Sequence, residues 1–309
     1  MLRFAFLASL SGALLSCGGD SGSNDPDAIT LDGSPDSSTV RERSGSVEVT
    51  EDRWVHTADA GGGETQSGQI GARFYDGREP SYHREAMRSG DCALKTYENA
   101  SCTPACTTGV CVDTNVCEPF PTYVSAGRLT LTGLRTAVQI DPMQNWYYPT
   151  SQLPNELFAD DATVTASLAG ATLPAMSITT QGVRPIAPAI TGGKLVVDYP
   201  ATADTVVTWT PSGGDERVKL TLNANNRGHG QPYVAIVECD VADAAGRIAI
   251  APAIMNAFPE TDAWYICAGT DCPPSRLTRY RRGATLVGER EVDLLVQSTF
   301  TFGIEHHLE

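Results

Sequence analysis

Side chains in the second half of the chain alternate between polar and apolar with a period of two residues. Val218, Leu220 and Leu222 would face one way along a strand, while the Arg, Lys and Thr residues between them face the other. Successive side chains point to opposite faces in a β-strand, so this pattern predicts strands with one buried face. Strands are predicted at Gln69–Phe74, Arg128–Thr132, Thr163–Leu168, Met176–Thr180, Lys194–Tyr199, Thr205–Thr210, Arg217–Asn223, Tyr233–Cys239 and Glu291–Phe302.

Turn-forming residues separate these stretches at intervals of roughly eight to twelve residues. The spacing predicts a mostly β protein in which antiparallel sheets pack in two layers, as a β-sandwich. The chain has 309 residues and is 41% hydrophobic, enough for one large sandwich or two packed sub-units. In the second case the Pro-rich stretch Val183–Pro188 marks the sub-boundary, near residue 190. Ser212–Asp215 is predicted to be a hairpin turn, and Pro252–Phe258 a short helix.

Nine cysteines are present, and Cys17, near the start, is considered separately below. The even number that remains predicts disulfide bonds in an exported chain. Five of them fall in the insert 92–117, so one must pair outside it. Cys267 and Cys272 suit a local bridge, which leaves Cys239 as the expected outside partner, although spacing does not decide which cysteine it meets. The predicted disulfide cysteines are Cys92, Cys102, Cys106, Cys111, Cys117, Cys239, Cys267 and Cys272.

The alternative use of these thiols is a metal site. No two of them have the C-x-x-C spacing of a zinc knuckle, and an oxidising compartment favours disulfides over thiolate ligands. We therefore expect no metal and no cofactor. The insert 92–117 has too few apolar side chains to build a core, so cross-links must shape it. Its cysteine spacing resembles that of small EGF-type or knottin folds.

The start of the chain has the features of an export signal. Phe4–Leu15 is an uncharged apolar run, too short to span a bilayer as a stable helix. The sequence LLSC at residues 14–17 resembles the lipobox of bacterial lipoproteins. This resemblance implies that residues 1–16 are a signal peptide and that Cys17 carries lipid such as palmitate. Gly18 stands where an Asp would retain the protein in the inner membrane, which favours the outer membrane. The alternative is an ordinary secretory signal with an incidental cysteine.

A polar, acidic segment follows the lipobox. Residues 17–46 are rich in Gly, Ser, Asp and Pro and have too little apolar surface to offset the entropy of ordering. They are predicted to form a disordered tether that holds the folded region, 47–309, clear of the membrane. The formal net charge of the chain is −15, so we expect nucleic acid and anionic lipid surfaces to repel it. The lipid on Cys17 is then the expected membrane contact.

Several motifs together resemble a known group of proteins. They are the lipobox, the acidic linker, an insert that opens with Gly90-Asp91-Cys92 and is followed by Ser125-Ala126-Gly127, and a β-rich half that contains TWTP and YVAIVECDVADAAG (233–246). The set is similar to cysteine-bearing surface lipoproteins of myxobacteria and related predatory bacteria. The function of that group is largely unassigned. The resemblance therefore implies a location in the cell envelope and an architecture, but it does not imply any particular activity.

Two groups of side chains are candidates for binding. Exposed aromatic rings on a β-sandwich can stack on sugar faces or anchor a protein partner, and a basic cluster in an acidic chain can contact an anionic partner. The alternative for each is structural: rings packed over the sandwich edge, and arginines that balance the molecule's own negative field. The candidates are Trp146, Tyr147, Tyr148 and Trp264 among the aromatic residues, and Arg279, Arg281 and Arg282 among the basic ones.

No catalytic signature is present in the sequence. There is no Gly-x-Ser-x-Gly elbow and no His-Glu-x-x-His pair, and His229 stands alone in a predicted loop. Asp240 and Asp243 flank a turn without the Asp-x-Asp-x-Asp-Gly loop of a calcium site. The sequence therefore predicts a lipid-anchored cell-envelope protein that acts as a non-enzymatic binding or structural module, in contact with envelope glycan or protein. The alternative is an extracytoplasmic hydrolase that acts on polysaccharide or peptide.

Overall fold

A computed structural model describes residues 42–58, 61–97, 100–224, 233–261 and 274–307. The chain is mostly β, with 55% strand and 4% helix, which confirms the predicted fold class. Predicted features that lie outside the described residues are Cys17 with its signal and most of the tether, His229, Trp264, Cys267 and Cys272. In the described part of the chain, no helix has both the length and the apolar character needed to cross a membrane.

Strands follow one another along the described chain with few helical interruptions. In chain order they are β1 (Arg43–Val55), β2 (Glu64–Phe74), β3 (His83–Ser89), β4 (Cys92–Tyr97), β5 (Gly109–Asp113), β6 (Val116–Pro119), β7 (Leu129–Thr132), β8 (Val138–Ile140), β9 (Thr163–Leu168), β10 (Met176–Gln181), β11 (Lys194–Asp198), β12 (Thr205–Thr208), β13 (Arg217–Asn223), β14 (Ala235–Ala242), β15 (Arg247–Ile250), β16 (Ser275–Val287) and β17 (Arg290–His307). The helix α1 spans Pro252–Ala257 and agrees with its prediction to within one residue.

Nine of these strands form one large sheet, in the order β2-β1-β17-β16-β13-β14-β4-β3, with β11 beside the end of β17. Most pairs of adjacent strands in this sheet are antiparallel, as predicted, but β1 and β11 each pair with β17 in parallel. The strand β17 is 18 residues long and lies between β1 and β16 along most of its length. The first strand of the fold is therefore held beside the last one.

Two hydrophobic clusters cover different halves of the inner face of this sheet. The first lies between β1, β2 and the start of β17 on one side and the four-stranded sheet β10-β9-β7-β8 on the other. Val49 of β1, Leu131 of β7 and Leu294 of β17 have no exposed surface in it. Burying a side chain of this size stabilises the fold by about 1.5–3 kcal/mol. The packing of this small sheet on the large one gives the two layers of a sandwich.

The second cluster joins β13, β14, β16 and the end of β17 to the strand pair β12–β15 and to α1. The Pro-rich stretch 183–188 passes from one cluster to the other, since Val183 packs in the first and Ile186 in the second. The large sheet continues beneath both clusters. Two cores thus share one uninterrupted sheet.

The sheet begins earlier than the predicted end of the tether. Because β1 starts at Arg43, residues 43–46 belong to the sheet and not to the linker 17–46. Their composition is that of a linker, but their backbone pairs with β2 on one side and β17 on the other. Gly45 has a φ of +151°, and a Cβ there would lie 2.2 Å from the carbonyl oxygen of Arg73, so this position requires glycine.

The hairpin predicted at Ser212–Asp215 is wrong. The strand before the turn, β12, pairs with β15, whereas β13 after it pairs with β14 and β16 in the large sheet. The turn therefore carries the chain from one layer to the other. Its direction is fixed by Ser212, whose backbone N–H and hydroxyl donate to the Asp243 carboxylate at 2.5 and 2.8 Å.

The end of β17 is paired with the residue Thr261, which follows α1. His306 exchanges backbone hydrogen bonds with Thr261, each 2.7 Å long. The buried ring of His306 packs edge-on against Tyr199, with 5.1 Å between centroids, and Nδ1 lies 3.2 Å from the carbonyl oxygen of Pro259. This histidine is therefore part of the second core.

Candidate ligand-binding groove

The outer face of the large sheet, opposite the cores, carries polar side chains. Along β1, Val47 and Val49 face inward, so Glu48, Thr50 and Asp52 face outward. The same alternation continues along β13, β16 and β17 and forms a groove of about 420 Å³. The groove is lined by Arg43, Glu48, Thr50, Asp52, Gln69, Lys219, Thr221, Asp240, Arg276, Thr278, Tyr280, Arg282, Leu295, Gln297 and Thr299.

Strand register places these side chains in rows across the sheet. Asp52, Thr299 and Thr278 are direct neighbours on β1, β17 and β16. The hydroxyls of Thr278 and Thr299 lie 3.0 Å apart, and in the adjacent row Gln297 Nε2 donates to Thr50 Oγ1 at 2.7 Å. The floor of the groove is therefore made of hydroxyl and amide groups that have neighbours to hold their orientation.

Several charged groups of the groove are engaged by neighbouring side chains. Arg217 Nε, at the rim, donates to Asp240 Oδ1 at 2.9 Å, and the hydroxyl of Tyr280 donates to Asp240 Oδ2 at 2.6 Å. Burial, together with this hydrogen bond, raises the pKa of Tyr280 to about 12, so the hydroxyl keeps its proton. Arg282 is 2.6 Å from the buried carboxylate of Asp293. These pairs fix the walls of the groove.

Two cations of the groove are weakly engaged. Lys219 Nζ is 3.7 Å from Glu238 Oε1, and Arg276 makes no ion pair within the described part of the chain. Burial raises the pKa of Asp52, although the hydrogen bond from Thr301 Oγ1, 2.7 Å long, and the charge of Arg276 act in the opposite direction. Lys219 and Arg276 are thus available to a negatively charged group on a ligand.

The three arginines predicted as binding residues all lie on β16, but only Arg282 reaches the groove. Arg279 is 2% exposed, and its guanidinium donates twice to Asp243 Oδ1, at 2.8 and 3.0 Å. Arg281 also faces inward, with its side chain 10% exposed. Arg279 also donates to the carbonyl oxygens of Arg184, Pro185 and Thr210. The partners of Arg281 are Asp161, Asp215, Glu216 and the carbonyl oxygen of Gly182. The structure therefore corrects the assignment of Arg279 and Arg281: both connect segments of the fold.

The predicted aromatic cluster likewise contains one buried side chain and two exposed ones. Tyr147 is 2% exposed, and its hydroxyl accepts from the N–H of Ala126 at 2.9 Å and donates to the carbonyl of Gly127 at 2.8 Å. Trp146 and Tyr148, on either side of it, are 40% and 47% exposed. Tyr147 is therefore a structural anchor, which corrects its assignment as a binding residue, and the two flanking rings remain accessible.

The insert 92–117 is cross-linked as its composition required. Cys102 pairs with Cys111 and Cys106 with Cys117, across the β5–β6 hairpin and the loop before it. Sulfur atoms of Cys102, Cys106 and Cys117 lie within 4.8 Å of one another. All three are in disulfides, and metals bind the thiolate, so these atoms form no metal site while they are oxidised.

The insert cysteine that pairs outside the insert is Cys92. It pairs with Cys239, which confirms the expected outside partner and settles which cysteine it meets. The two residues are direct neighbours in register on β4 and β14, and both are buried in the second core. This disulfide therefore cross-links two neighbouring strands of the large sheet at the start of the insert.

The groove itself was missed at the sequence level. The arginines of this stretch were interpreted as a basic cluster and given no strand, whereas residues 276–282 belong to β16. A signal was present: Arg276, Thr278, Tyr280 and Arg282 alternate with Leu277 and the inward-facing arginines. The buried arginines concealed the usual polar-apolar pattern.

Comparison with known proteins adds no identification. No protein-family model, no curated protein and no solved structure matches this chain. The chemistry of the groove and its surroundings is therefore the basis for the function proposed below.

Proposed function

We propose that this is an exported, lipid-anchored envelope protein whose folded part binds a glycan without hydrolysing it. The observation that carries the proposal is the polar groove on the outer face of the large sheet. Disulfides at Cys92, Cys102 and Cys106 support export, because disulfides persist in oxidising compartments. The anchor at Cys17 and an outer-membrane location rest on the lipobox resemblance.

The groups in the groove suit a ligand rich in hydroxyls. Thr50, Thr278 and Thr299 offer hydroxyls that both donate and accept, while Gln69 and Gln297 offer amides. A single apolar side chain, Leu295, lies among them. An open polar face of this kind complements the edges of sugar rings better than it complements an apolar ligand.

The charges of the groove favour a sugar that carries an acidic group. The chain has a net charge of −15, yet the groove is lined by four cations and three carboxylates. Arg276 and Lys219 are the two cations least engaged by neighbours. A carboxylate of a uronic acid would form charge-assisted hydrogen bonds with them, which are about twice as strong as neutral ones.

The spacing of the carboxylates argues against hydrolysis in this groove. Glycosidases place two carboxyl groups about 5–9.5 Å apart across the scissile bond. Asp52 and Asp240 are separated by three intervening strands, which corresponds to about 19 Å at the usual strand spacing. Glu48 and Asp52 are four residues apart on β1, or about 13 Å along the strand. These separations support binding over the hydrolase alternative.

The test is calorimetric titration of the purified full-length protein with short uronic-acid oligosaccharides. We expect Arg276→Gln to weaken binding about tenfold or more, because a hydrogen bond to a charged group is worth about 1.5–3 kcal/mol. Lys219→Gln should act in the same direction. The matched control is Arg128→Gln, an exposed arginine paired with Asp141 outside the groove. No binding by the wild type, or unchanged binding by Arg276→Gln, would reject the proposal.

A further inference from the structure

An aromatic surface lies at the open edge of the same sheet. We call it the aromatic platform and define it by Trp146, Tyr148, Tyr123 and Arg73. The rings of Tyr123 and Trp146 are 4.7 Å apart, and the guanidinium of Arg73 lies 5.9 Å from the centre of the Trp146 ring. Trp146 and Tyr148 are 40% and 47% exposed, so the platform presents aromatic ring atoms to solvent.

The platform is held rigidly. Met143 and Trp146 exchange backbone hydrogen bonds of 2.9 Å around a two-residue turn. Gln144 and Asn145 both have positive φ, +50° and +67°, as in a type I′ hairpin turn. The side chain of Asn145 donates to the carbonyl of Tyr123 at 2.8 Å. Such preorganisation reduces the entropy lost when a ligand stacks on the rings.

The platform lies on the same side of the sheet as the groove. Tyr147 pairs with Ala72 of the edge strand β2, and both side chains are buried on the inner side. Their neighbours in sequence therefore face the outer side. The contact between Arg73 and Trp146 agrees with this geometry.

An open path connects the platform to the groove. Gly71, opposite Glu48 of β1, lies on the outer side beside the edge segment that holds Tyr148. A Cβ at Gly71 would meet no atom closer than the carbonyl oxygen of Tyr147, at 4.0 Å. Backbone packing does not require glycine here, and its lack of a side chain leaves the outer surface clear between the rings and the groove.

From these observations we infer that the aromatic platform is a second subsite of the glycan site, so the preferred ligand is an extended chain lying across the strands. Sugar units in the groove would form polar contacts, while a unit farther along would stack its apolar face on Trp146 and Tyr148. The segment bearing the platform is four strand spacings, about 19 Å, from Arg276 on β16, so a single sugar cannot contact both the platform and Arg276. This inference rests on the proposed glycan-binding function.

The experiment compares short and long members of one oligogalacturonate series on the full-length protein. For the wild type we expect affinity to rise with chain length until both subsites are filled. Trp146→Ala and Tyr148→Ala should each weaken binding of the long ligand about two- to tenfold and leave the short ligand unaffected. Tyr82→Ala is the control, because Tyr82 is 38% exposed and precedes β3 at the opposite edge of the sheet.

A second variant tests the path without removing any contact. Gly71→Gln has room to fold and should selectively weaken binding of the long ligand. Melting curves of all variants identify any that lose the fold. If the long ligand binds Trp146→Ala, Tyr148→Ala and Gly71→Gln as well as it binds the wild type, the inference fails while the proposed function stands. If no oligosaccharide binds the wild type, the proposed function fails and this inference with it.

Discussion

Loss of the buried ion pair between Arg279 and Asp243 should strongly weaken the fold. Asp243 has no exposed surface. Its carboxylate accepts hydrogen bonds from Trp209 Nε1 at 2.9 Å, from the N–H and hydroxyl of Ser212, and from the guanidinium of Arg279. The pair thereby connects β16, the turn after β14 and the segment that enters the large sheet.

Asp243→Asn keeps the shape of the side chain but removes its charge and one acceptor oxygen. The amide nitrogen must then face a donor, either from Ser212 or from Arg279, and the arginine is left buried without a counter-charge. Removing one partner of a buried pair costs about 3–5 kcal/mol. We therefore expect the free energy of unfolding to fall by that amount in urea denaturation with the disulfides intact.

The pKa of Asp243 determines how the stability difference between the wild type and Asp243→Asn depends on pH. Burial acts to raise the pKa of Asp243, but the hydrogen bonds from Ser212 and the charge of Arg279 outweigh it and lower the pKa overall. A carboxyl whose pKa is lower in the folded state stabilises the fold above its unfolded pKa, about 3.9, and loses that contribution as the pH falls through its folded pKa. The difference between wild type and Asp243→Asn should therefore shrink in acid.

Asp141→Asn is the matched control, since Asp141 forms an exposed pair with Arg128. We expect no measurable change in its urea midpoint at neutral pH. The reasoning about Asp243 is refuted if Asp243→Asn is as stable as this control, or if the gap between wild type and Asp243→Asn stays constant down to low pH.

Two further outcomes follow from the cysteines. Replacing both Cys92 and Cys239 by Ala removes a link between residues that are 147 apart in sequence. The free energy of unfolding measured in urea should fall by about 2–5 kcal/mol. An unchanged urea midpoint would contradict this expectation. Cys17→Ala should move the protein from the membrane pellet to the soluble fraction of cells; a variant that stays in the pellet would rule out the anchor.

The sequence predicted strands best where one face is apolar throughout. β13 was placed at its observed ends, 217–223, and β9 at 163–168, because both alternate without interruption. The start of β1 could not be predicted, since Ser44 and Gly45 have the composition of a linker and become strand only through long-range pairing. The pairing partners of strands could not be predicted either. Nothing in the local sequence of β12 indicates that it pairs with β15 and not with β13, the next strand in the chain.

The site was harder to predict than the fold for a physical reason. A polar sheet face is recognisable in sequence only when the other face is apolar, and Arg279 and Arg281 break that rule on β16 by forming internal ion pairs. The aromatic residues were easier to find in the sequence, because Trp146 and Tyr148 stand together in one short stretch and both are exposed. Its internal member, Tyr147, could be distinguished only once Ala126 and Gly127 were seen to bind its hydroxyl.

The parallel pairing of β1 with β17 has a consequence for how the molecule is made. Thr50 and Gln297, which share a hydrogen bond, are 247 residues apart, so β1 can pair with β2 early but gains its second neighbour, β17, only after the intervening chain has been synthesised. Contacts this distant in sequence slow folding and leave strand edges open meanwhile. The large sheet therefore cannot be completed until β17 has been synthesised, however early its other strands pair.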